Sequence, residues 1–303
     1  MDGRTDLLVV EVGPRDGLQN EHAIVSTADK IALVDRLSVA GLPVIEAGAF
    51  VSPRWVPQMA DAGEVLAGIT RRPGTLYTAL VPNARGLERA LEARVDEVAV
   101  FAAASETFSR RNINSSIDES LILYADVARR AQAAGLRVRG YLSTSFGCPF
   151  EGDVPIARVV DLTQRLLQQV GVYEVAVSDT IGIAHPGQVR RTLEALRAHV
   201  ASEHLALHFH DTRGTALANV LASLDFDIRT FDASAGGLGG CPYAPGASGN
   251  LATEDLLYLL QGLGWAQGID RDAVVDAAAP LEAIIGHPLP SRYSQALRAT
   301  RGQ

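Results

Sequence analysis

The sequence has 303 residues and a formal net charge of −8. This acidic balance argues against nucleic acid or an anionic membrane as a partner, although a local basic pocket for an anionic substrate is compatible with it. Apolar residues make up 47% of the chain and aromatic residues only 6%. Such a composition favours a core of Val, Leu, Ile and Ala, as in buried parallel strands covered by helices.

The amino-terminal residues carry neither an apolar signal segment with a cleavage site nor an Arg/Ser-rich transit segment. No run approaches the roughly 18 apolar residues that a membrane span needs. The two cysteines, Cys148 and Cys241, lie far apart and outside any paired-cysteine metal motif. We therefore expect reduced thiols and a cytoplasmic protein.

Short apolar runs alternate along the chain with segments of helical periodicity, which is the pattern of repeated β/α units. The eight predicted strands are LLVVEV (7–12), PVIEAGAF (43–50), TLYTALV (75–81), VDEVAVFA (95–102), RVRGYLST (137–144), YEVAVS (173–178), LALHFH (205–210) and IRTFDAS (228–234). The helical segments between them are 26–40, 56–69, 84–92, 120–134, 156–170, 186–201 and 213–224. Ser26 and Ser116 are the predicted N-caps.

Eight strands with intervening helices predict a closed TIM (β/α)8 barrel, with an open doubly wound sheet as the alternative. The loops after strands are longer than those after helices, which places the expected active site at the carboxyl ends of the strands. An eighth helix is predicted within 251–264, and short helices outside the barrel are predicted from Trp265. The chain is thus expected to be one domain, 1–303, with a barrel at about 7–264 and a helical extension at 265–303.

The stretch Ser234–Asn250, SAGGLGGCPYAPGASGN, holds too many glycines and prolines for a strand or helix. Long loops inside compact domains are usually functional, and this one has no charged residue and contains Cys241. It predicts an active-site loop. The alternative is a structural loop with a buried cysteine.

His208 and His210 alternate at the end of the seventh predicted strand, so their side chains share one face. Two imidazoles on one face could form half of a divalent metal site, although ordinary core histidines explain such a pair about as well. Asp16, after the first strand, is the candidate oxygen ligand and favours Mg²⁺ or Mn²⁺. Arg15 and Gln19 flank it at the expected barrel mouth, where a surface turn is the alternative reading.

Three carboxylates interrupt otherwise apolar strands or end them: Glu11, Glu46 and Asp179. A carboxylate in such a run is costly unless it is paired or lies on a functional face. We expect Glu46 and Asp179 to be near the active site, and leave Glu11 open between a functional and a structural role.

Several motifs together resemble 3-hydroxy-3-methylglutaryl-CoA (HMG-CoA) lyases, from about Leu7 to Gly264. They are VVEVGPRDGLQNE, FVSPRWVPQM, GCPFEGD, SDTIGI, HFHDT with ALAN, and GGLGGCPYA followed by GASGNLATED. The wider group is the metal-dependent barrel family that includes isopropylmalate and homocitrate synthases. Those synthases typically have DGEQ where this chain has DGLQNE, and they carry a regulatory region for which this chain lacks room.

The resemblance implies cleavage of an acyl-CoA thioester, HMG-CoA or a close homologue, to acetyl-CoA and acetoacetate, in a homodimer. It implies that Asp16, His208, His210 and Asn250 bind the divalent cation. Arg15 would contact the substrate thioester oxygen, and Cys241 would be a mobile acid in a glycine-rich lid. Glu46, Asp179 and Glu254 fall at positions that the family keeps acidic near the site.

This chemistry is consistent with the residues. Cleavage between C2 and C3 of a 3-hydroxyacyl thioester needs a base for the hydroxyl, a Lewis acid and a cation for the enolate. Asp16, His208 and the metal could supply the first two, and Arg15 the third. A thiol of near-neutral pKa, such as Cys241 on a lid, could then protonate the enolate carbon.

The sequence departs from the usual lyase motifs at Ala49, Ser178, Arg213 and Thr215, which are expected to alter the acyl pocket. A further cysteine of the family is missing from YLSTSFGCP. The alternatives to a lyase are a Claisen-type synthase that condenses an acyl-CoA with a 2-oxo acid, and a non-catalytic barrel that binds acyl-CoA.

Overall fold

The computed structural model describes residues 7–239 and 249–302. Within them, eight parallel strands form a closed barrel in chain order, with β8 hydrogen-bonded to β1. The predicted TIM barrel is therefore confirmed, and the open doubly wound sheet is excluded. The strands are β1 Leu8–Glu11, β2 Val44–Ala49, β3 Leu76–Leu80, β4 Glu97–Ala103, β5 Arg137–Ser143, β6 Glu174–Asp179, β7 Leu205–Phe209 and β8 Thr230–Ala233.

Helices cover the outside of the barrel and continue into the carboxyl-terminal segment. They are α1 Thr27–Val39, α2 Ala62–Gly68, α3 Ala84–Glu92, α4 Glu106–Ile113, α5 Ile117–Ala133, α6 Ile156–Arg165, α7 Pro186–Arg197, α8 Ala216–Leu224, α9 Thr253–Gly262, α10 Arg271–Ala278, α11 Leu281–Ile285 and α12 Arg292–Arg301. None of the helices in the described ranges combines the length and the apolarity that crossing a membrane requires.

The helix boundaries agree with the local sequence signals in most places. Ser26 accepts a hydrogen bond from Asp29 N, and Ser116 forms a complete capping box with Glu119, so both predicted N-caps are confirmed. Helix α4 was not predicted, because ETFSRRNI carries few apolar residues at helical spacing. Its start is instead fixed by Ser105, whose hydroxyl accepts from Phe108 N at 3.1 Å.

The barrel interior is unusually polar. Layers of branched aliphatic side chains commonly fill the centre of this fold. Here Glu46, Arg139, Glu174 and Asp232, from four different strands, are all buried. These four side chains form a charged layer, called the charged floor below, beneath the carboxyl ends of the strands. The active site of such a barrel is expected at that end.

Glu11 joins the ends of β1 and β8 to the start of α9. Its Oε1 accepts from Gly13 N at 2.8 Å and from Ala235 N at 2.9 Å, and its Oε2 accepts from Thr253 Oγ1 at 2.6 Å. Burial raises the pKa of Glu11 to about 7, although these three hydrogen bonds oppose the shift. The carboxylate thus has a structural role at the base of the glycine-rich loop.

The carboxyl-terminal segment packs against the same region, where the glycine-rich loop leaves β8 and α9 begins. Ser291 N donates to Gly236 O at 3.2 Å, and Ser291 Oγ donates to Asp255 Oδ1 on α9 at 2.9 Å. Leu289 is buried against Gly236, where an added Cβ would lie 2.4 Å from its Cδ1. The segment therefore packs against the first residues of the glycine-rich loop.

We predict that Glu11→Gln makes the fold less sensitive to alkaline pH. The folded-state pKa of about 7 exceeds the ordinary value of 4.5, so the native state retains a proton that the unfolded chain loses. The free energy of unfolding of the wild type therefore falls as pH rises through this range. Between about pH 5 and pH 8, urea unfolding should show the variant gaining about 2–3 kcal/mol relative to the wild type.

Glutamine is a suitable probe because its oxygen keeps the bonds from Gly13 and Ala235, while its amide group can donate to Thr253. Glu11→Leu is the contrasting control. It leaves those two backbone N–H groups unpaired and should lose stability at both pH values. A stability difference between Glu11→Gln and the wild type that did not change with pH would contradict the prediction.

Candidate active site

Arg15 and Asp16 lie on a tight turn directly after β1. The backbone N–H groups of Arg15, Asp16 and Gly17 all converge on Val12 O, at 3.1, 2.7 and 3.2 Å. This geometry forms a single π-helical turn over Gly13–Gly17, a feature often found at functional sites. It places both side chains at the mouth of the barrel.

The two histidines approach Asp16 from β7. His208 and His210 are both buried, and their ring centroids are 5.2 Å apart. The Nε2 atom of each lies 3.9 Å from Asp16 Oδ2. The structure thus brings together the three residues that the sequence predicted as metal ligands on β7 and after β1.

Asn250 joins this cluster through the backbone. It forms an isolated antiparallel bridge with His210, just beyond β7. Its Nδ2 donates to Asp16 Oδ2 at 3.0 Å and to Leu238 O at 3.1 Å. Its Oδ1 is buried and has no hydrogen-bond partner within the described residues.

The donor set fits a divalent cation. Ligand atoms of Asp16, His208 and His210 all lie within 4.8 Å of one another. The buried oxygen of Asn250 lacks a partner that a cation would provide. One carboxylate, two imidazoles and a carboxamide together offer the mixed oxygen and nitrogen ligands that divalent cations accept in proteins.

The protonation of the cluster suits metal binding as well. Burial would raise the pKa of Asp16, but Arg15, His208 and His210 outweigh it and lower that pKa to about 2. Burial and the neighbouring His208 lower the pKa of His210 to about 4. Near neutral pH the first is a carboxylate and the second a neutral imidazole, the forms in which they can bind a metal.

Arg15 is a buried cation beside the cluster. Its Nη1 donates to Asp16 Oδ1 at 2.6 Å, and its Nε donates to Glu46 Oε1. Burial alone would lower its pKa, but these two carboxylates raise it, so the guanidinium stays charged. Its Cζ also lies 5.1 Å from the centre of the Tyr141 ring. Glu46 thus pairs with Arg15 beneath the pocket without lining it, and its direct part in the reaction stays a prediction.

Three further residues complete the charged floor, and none of them was among the site residues predicted from the sequence. Tyr141 OH donates to Glu46 Oε2 at 2.7 Å, and Arg139 Nη1 donates to Tyr141 OH at 3.2 Å. Arg139 Nη2 donates to Asp232 Oδ1 at 2.8 Å, and Asp232 Oδ2 lies 3.2 Å from His208 Nδ1. Arg139 and Asp232 interrupt apolar strands just as Glu46 does, so the same signal could have identified them.

The cluster opens into a pocket of about 680 Å³. One wall of this pocket comes from β3, β4, α4 and α5, and there apolar side chains such as Phe101 and Leu123 lie beside the polar Arg111 and Asn112 of α4. Gln19 lies at its edge and donates to Asp16 Oδ1 at 3.1 Å. Its lining includes Arg15, Asp16, Gln19, Trp55, Leu80, Phe101, Phe108, Leu123, Tyr124, Tyr141, Ser178, Thr180, His208 and His210.

The side chains of Asp179 and Glu254 do not face the pocket. The Asp179 carboxylate accepts from Ile183 N at 3.0 Å and Ala184 N at 2.9 Å, and burial raises its pKa to about 6. Glu254 Oε2 accepts from Gly236 N at 2.9 Å, and burial raises its pKa too. Neither lines the pocket. Both hold the loops that surround it, so a direct part in the reaction stays a prediction.

The four departures from the lyase motifs are not equivalent. Only Ser178 lines the pocket, beside its register partner His208. Ala49 is fully buried at the end of β2. Arg213 Nη1 donates to Ile181 O at 3.1 Å and Gly182 O at 2.8 Å, and Thr215 Oγ1 donates to Ala184 O at 2.8 Å. These last two fasten the loop after β6.

Cys241 lies outside the described residues. The described part of its loop ends at Gly239, after a short 3-10 turn over Ala235–Gly237 that begins directly behind β8. The predicted acid role of Cys241 therefore stays a prediction.

Comparison with known proteins identifies the family. The 3-hydroxy-3-isohexenylglutaryl-CoA/hydroxy-methylglutaryl-CoA lyase of Pseudomonas aeruginosa is 56% identical over 291 residues, 96% of this chain and 97% of the relative. A solved HMG-CoA lyase from Bacillus subtilis matches with a TM-score of 0.95 and 50% identity, over 98% of this chain and 100% of its own.

A second solved structure, an HMG-CoA lyase from Acinetobacter baumannii in complex with coenzyme A and 3-methylmalate, matches with a TM-score of 0.90 and 41% identity. The match covers 96% of this chain and 94% of that one. The HMGL-like family model matches residues 6–280. With both the full barrel and its polar floor inside that match, the chain belongs to the HMGL-like family.

Proposed function

We propose that this protein is a divalent-metal-dependent carbon–carbon lyase that cleaves HMG-CoA, or a close 3-hydroxyacyl-CoA homologue, to acetyl-CoA and acetoacetate. The observation that carries the proposal is the convergence of Asp16, His208 and His210 on one point of the pocket, next to the buried cation Arg15. The near full-length similarity to proteins named as HMG-CoA lyases supports it.

The reaction needs a base at the 3-hydroxyl group. Removal of that proton lets the C3–O bond become a carbonyl, and the C2–C3 bond breaks with its electron pair moving to C2. Asp16 and His208 both line the pocket at the ligand cluster and are the candidate bases, His208 only in a state in which its Nε2 is not bound to the cation. A divalent cation bound by Asp16, His208, His210 and Asn250 would polarise the hydroxyl and lower its pKa.

Arg15 is suited to stabilise the departing enolate. The electron pair at C2 is shared with the thioester oxygen, so a fixed cation at that oxygen lowers the barrier. The bonds of Arg15 to Asp16 and Glu46 use Nη1 and Nε, and Nη2 remains for a substrate oxygen as far as the described residues extend. Because Arg15 is already held in place, little reorganisation is needed during the reaction.

The enolate carbon must then receive a proton. In this proposal Cys241 donates it from the glycine-rich loop, and the resulting thiolate is reprotonated from solvent. Closure of the loop over the pocket would also exclude water from the carbanion. The family resemblance favours a homodimer. The cysteine usage of the sequence, which has no paired-cysteine motif, favours the cytoplasm as its compartment.

We predict that the purified protein releases acetyl-CoA from HMG-CoA only with Mg²⁺ or Mn²⁺ present. A panel of 3-hydroxyacyl-CoAs with different C3 substituents, each with metal or EDTA, tests substrate class and metal need together. The apolar wall at Phe101 and Leu123 leads us to expect activity with a larger apolar substituent as well. Condensation of acetyl-CoA with 2-oxo acids, without cleavage, would indicate a synthase instead. Binding of acyl-CoA without turnover would indicate a non-catalytic barrel.

We predict that Cys241→Ala lowers kcat by about 100-fold or more, because positioned proton donors typically contribute about 10²–10⁴-fold. Mn²⁺ binding, measured by paramagnetic resonance, should be retained. The matched control is Cys148→Ala, since Cys148 is buried and its Sγ contacts Ser105 Oγ at 2.9 Å, away from the ligand cluster. Unchanged turnover in Cys241→Ala would remove the thiol from the mechanism.

A further inference from the structure

We propose that Asp232 is a positioning residue for His208. Its carboxylate fixes the imidazole as the Nδ1–H tautomer, with Nε2 unprotonated and turned toward Asp16, and Arg139 in turn holds Asp232 in place. The inference rests on the proposed divalent metal site but not on the identity of the substrate.

The barrel register places the two residues side by side. His208 on β7 and Asp232 on β8 are Cα partners in the parallel ladder, so their side chains leave the sheet on the same face. The Asp232 side chain has no exposed surface, and its Oδ2 lies 3.2 Å from His208 Nδ1. The opposite ring nitrogen, Nε2, lies 3.9 Å from Asp16 Oδ2. The ring thus bridges the two carboxylates.

The hydrogen bonds that Asp232 can form determine the tautomer of His208. Arg139 Nη2 occupies Asp232 Oδ1 at 2.8 Å, and an ionised carboxylate can only accept hydrogen bonds. The ion pair with Arg139 keeps this carboxylate in the form that only accepts hydrogen bonds. His208 Nδ1 must therefore carry the proton, which leaves Nε2 as the nitrogen with a lone pair for a metal.

Arg139 is itself immobilised on several sides. Its Nε donates to Glu174 Oε2 at 2.7 Å, and Glu174 is its register partner on β6. Its Nη1 donates to Tyr141 OH at 3.2 Å, and its Cζ lies 5.1 Å from the centre of the same ring. The guanidinium therefore presents Nη2 to Asp232 in one orientation only.

The two histidines differ in this respect. Asp232 accepts at His208, whereas His210 Nδ1 has no hydrogen-bond partner within the described residues. His208 is thus the imidazole whose orientation is fixed from the barrel interior. Partners of this kind raise ligand basicity, and their loss typically costs about 10–100-fold in metal affinity.

Asp232→Asn tests the idea because it keeps the shape of the side chain. Arg139 offers only donors, so the single amide oxygen must turn to it, and the amide NH₂ group then faces His208 Nδ1. The imidazole has to accept there, which moves its proton to Nε2. A metal must then displace that proton and break the hydrogen bond from the amide group, so it binds more weakly.

The experiment combines two measurements on the full chain. Nitrogen-15 NMR of the histidine side chains reports the tautomer, with the signals assigned by their absence in His208→Asn. We expect Nδ1–H at His208 in the wild type and Nε2–H in Asp232→Asn. Titration with Mn²⁺ alone, followed by paramagnetic resonance, should give about 10–100-fold weaker binding in the variant.

Glu174→Gln is the matched control, because it also removes a buried carboxylate from Arg139 but contacts neither His208 nor Asp232. It should keep the Nδ1–H tautomer and nearly the wild-type Mn²⁺ affinity. An equal loss of Mn²⁺ affinity in both variants would show that Asp232 acts only through its charge. That result would overturn the inference.

Two other results would also overturn it: an Nε2–H tautomer at His208 in the wild type, or unchanged Mn²⁺ affinity in Asp232→Asn. The wild-type spectrum decides the question even if Asp232→Asn does not fold. Both readouts are independent of turnover. A failure of the HMG-CoA cleavage assay would thus count against the proposed function and leave this test in force.

Discussion

Two buried arginines hold the polar interior of this barrel together. Arg15 pairs with Asp16 and Glu46, Arg139 pairs with Glu174 and Asp232, and Tyr141 lies between the two guanidinium groups. Burying charges costs several kcal/mol for each ion, and removing one partner of a buried pair costs about 3–5 kcal/mol. Each charge is therefore tolerated only because the others are present. An interior of this kind is a poor source of stability, and its value is a fixed geometry at the pocket floor.

The same network carries an imbalance of charge. Two guanidiniums are shared by its four carboxylates, so acidic groups outnumber basic groups by two: Asp16, Glu46, Glu174 and Asp232. Asp16 stands at the open end of the network, beside the two imidazoles and the unpartnered oxygen of Asn250. A divalent cation at that point would balance the network. A cation there would be held by its ligand side chains, and the buried ion pairs behind them fix the positions of those side chains.

Sequence patterns predicted the features that depend on periodicity. Alternation along β7 placed His208 and His210 on one face, and the turn residues after β1 placed Asp16 opposite them. The directions of Asp179 and Glu254 could not be predicted, because they depend on backbone N–H groups in loops whose path the sequence does not specify. The pairing of His208 with Asp232 was equally inaccessible, since it requires the register between two strands. Arg213 and Thr215 were expected at the acyl pocket, but they bind backbone carbonyls of a neighbouring loop.

The charged floor also limits how the pocket can vary. The layer formed by Glu46, Tyr141 and Arg139 separates the pocket of about 680 Å³ from a cavity of about 300 Å³ at the amino-terminal end of the barrel. Substitutions in this layer would break buried pairs, so a different acyl group cannot be accommodated by deepening the floor. The apolar side chains on the wall from β3, β4, α4 and α5 have no such constraint, because one hydrophobic side chain can replace another there at small cost. Selection among acyl groups is therefore expected to act on this wall and on Ser178, the one motif departure that reaches the pocket.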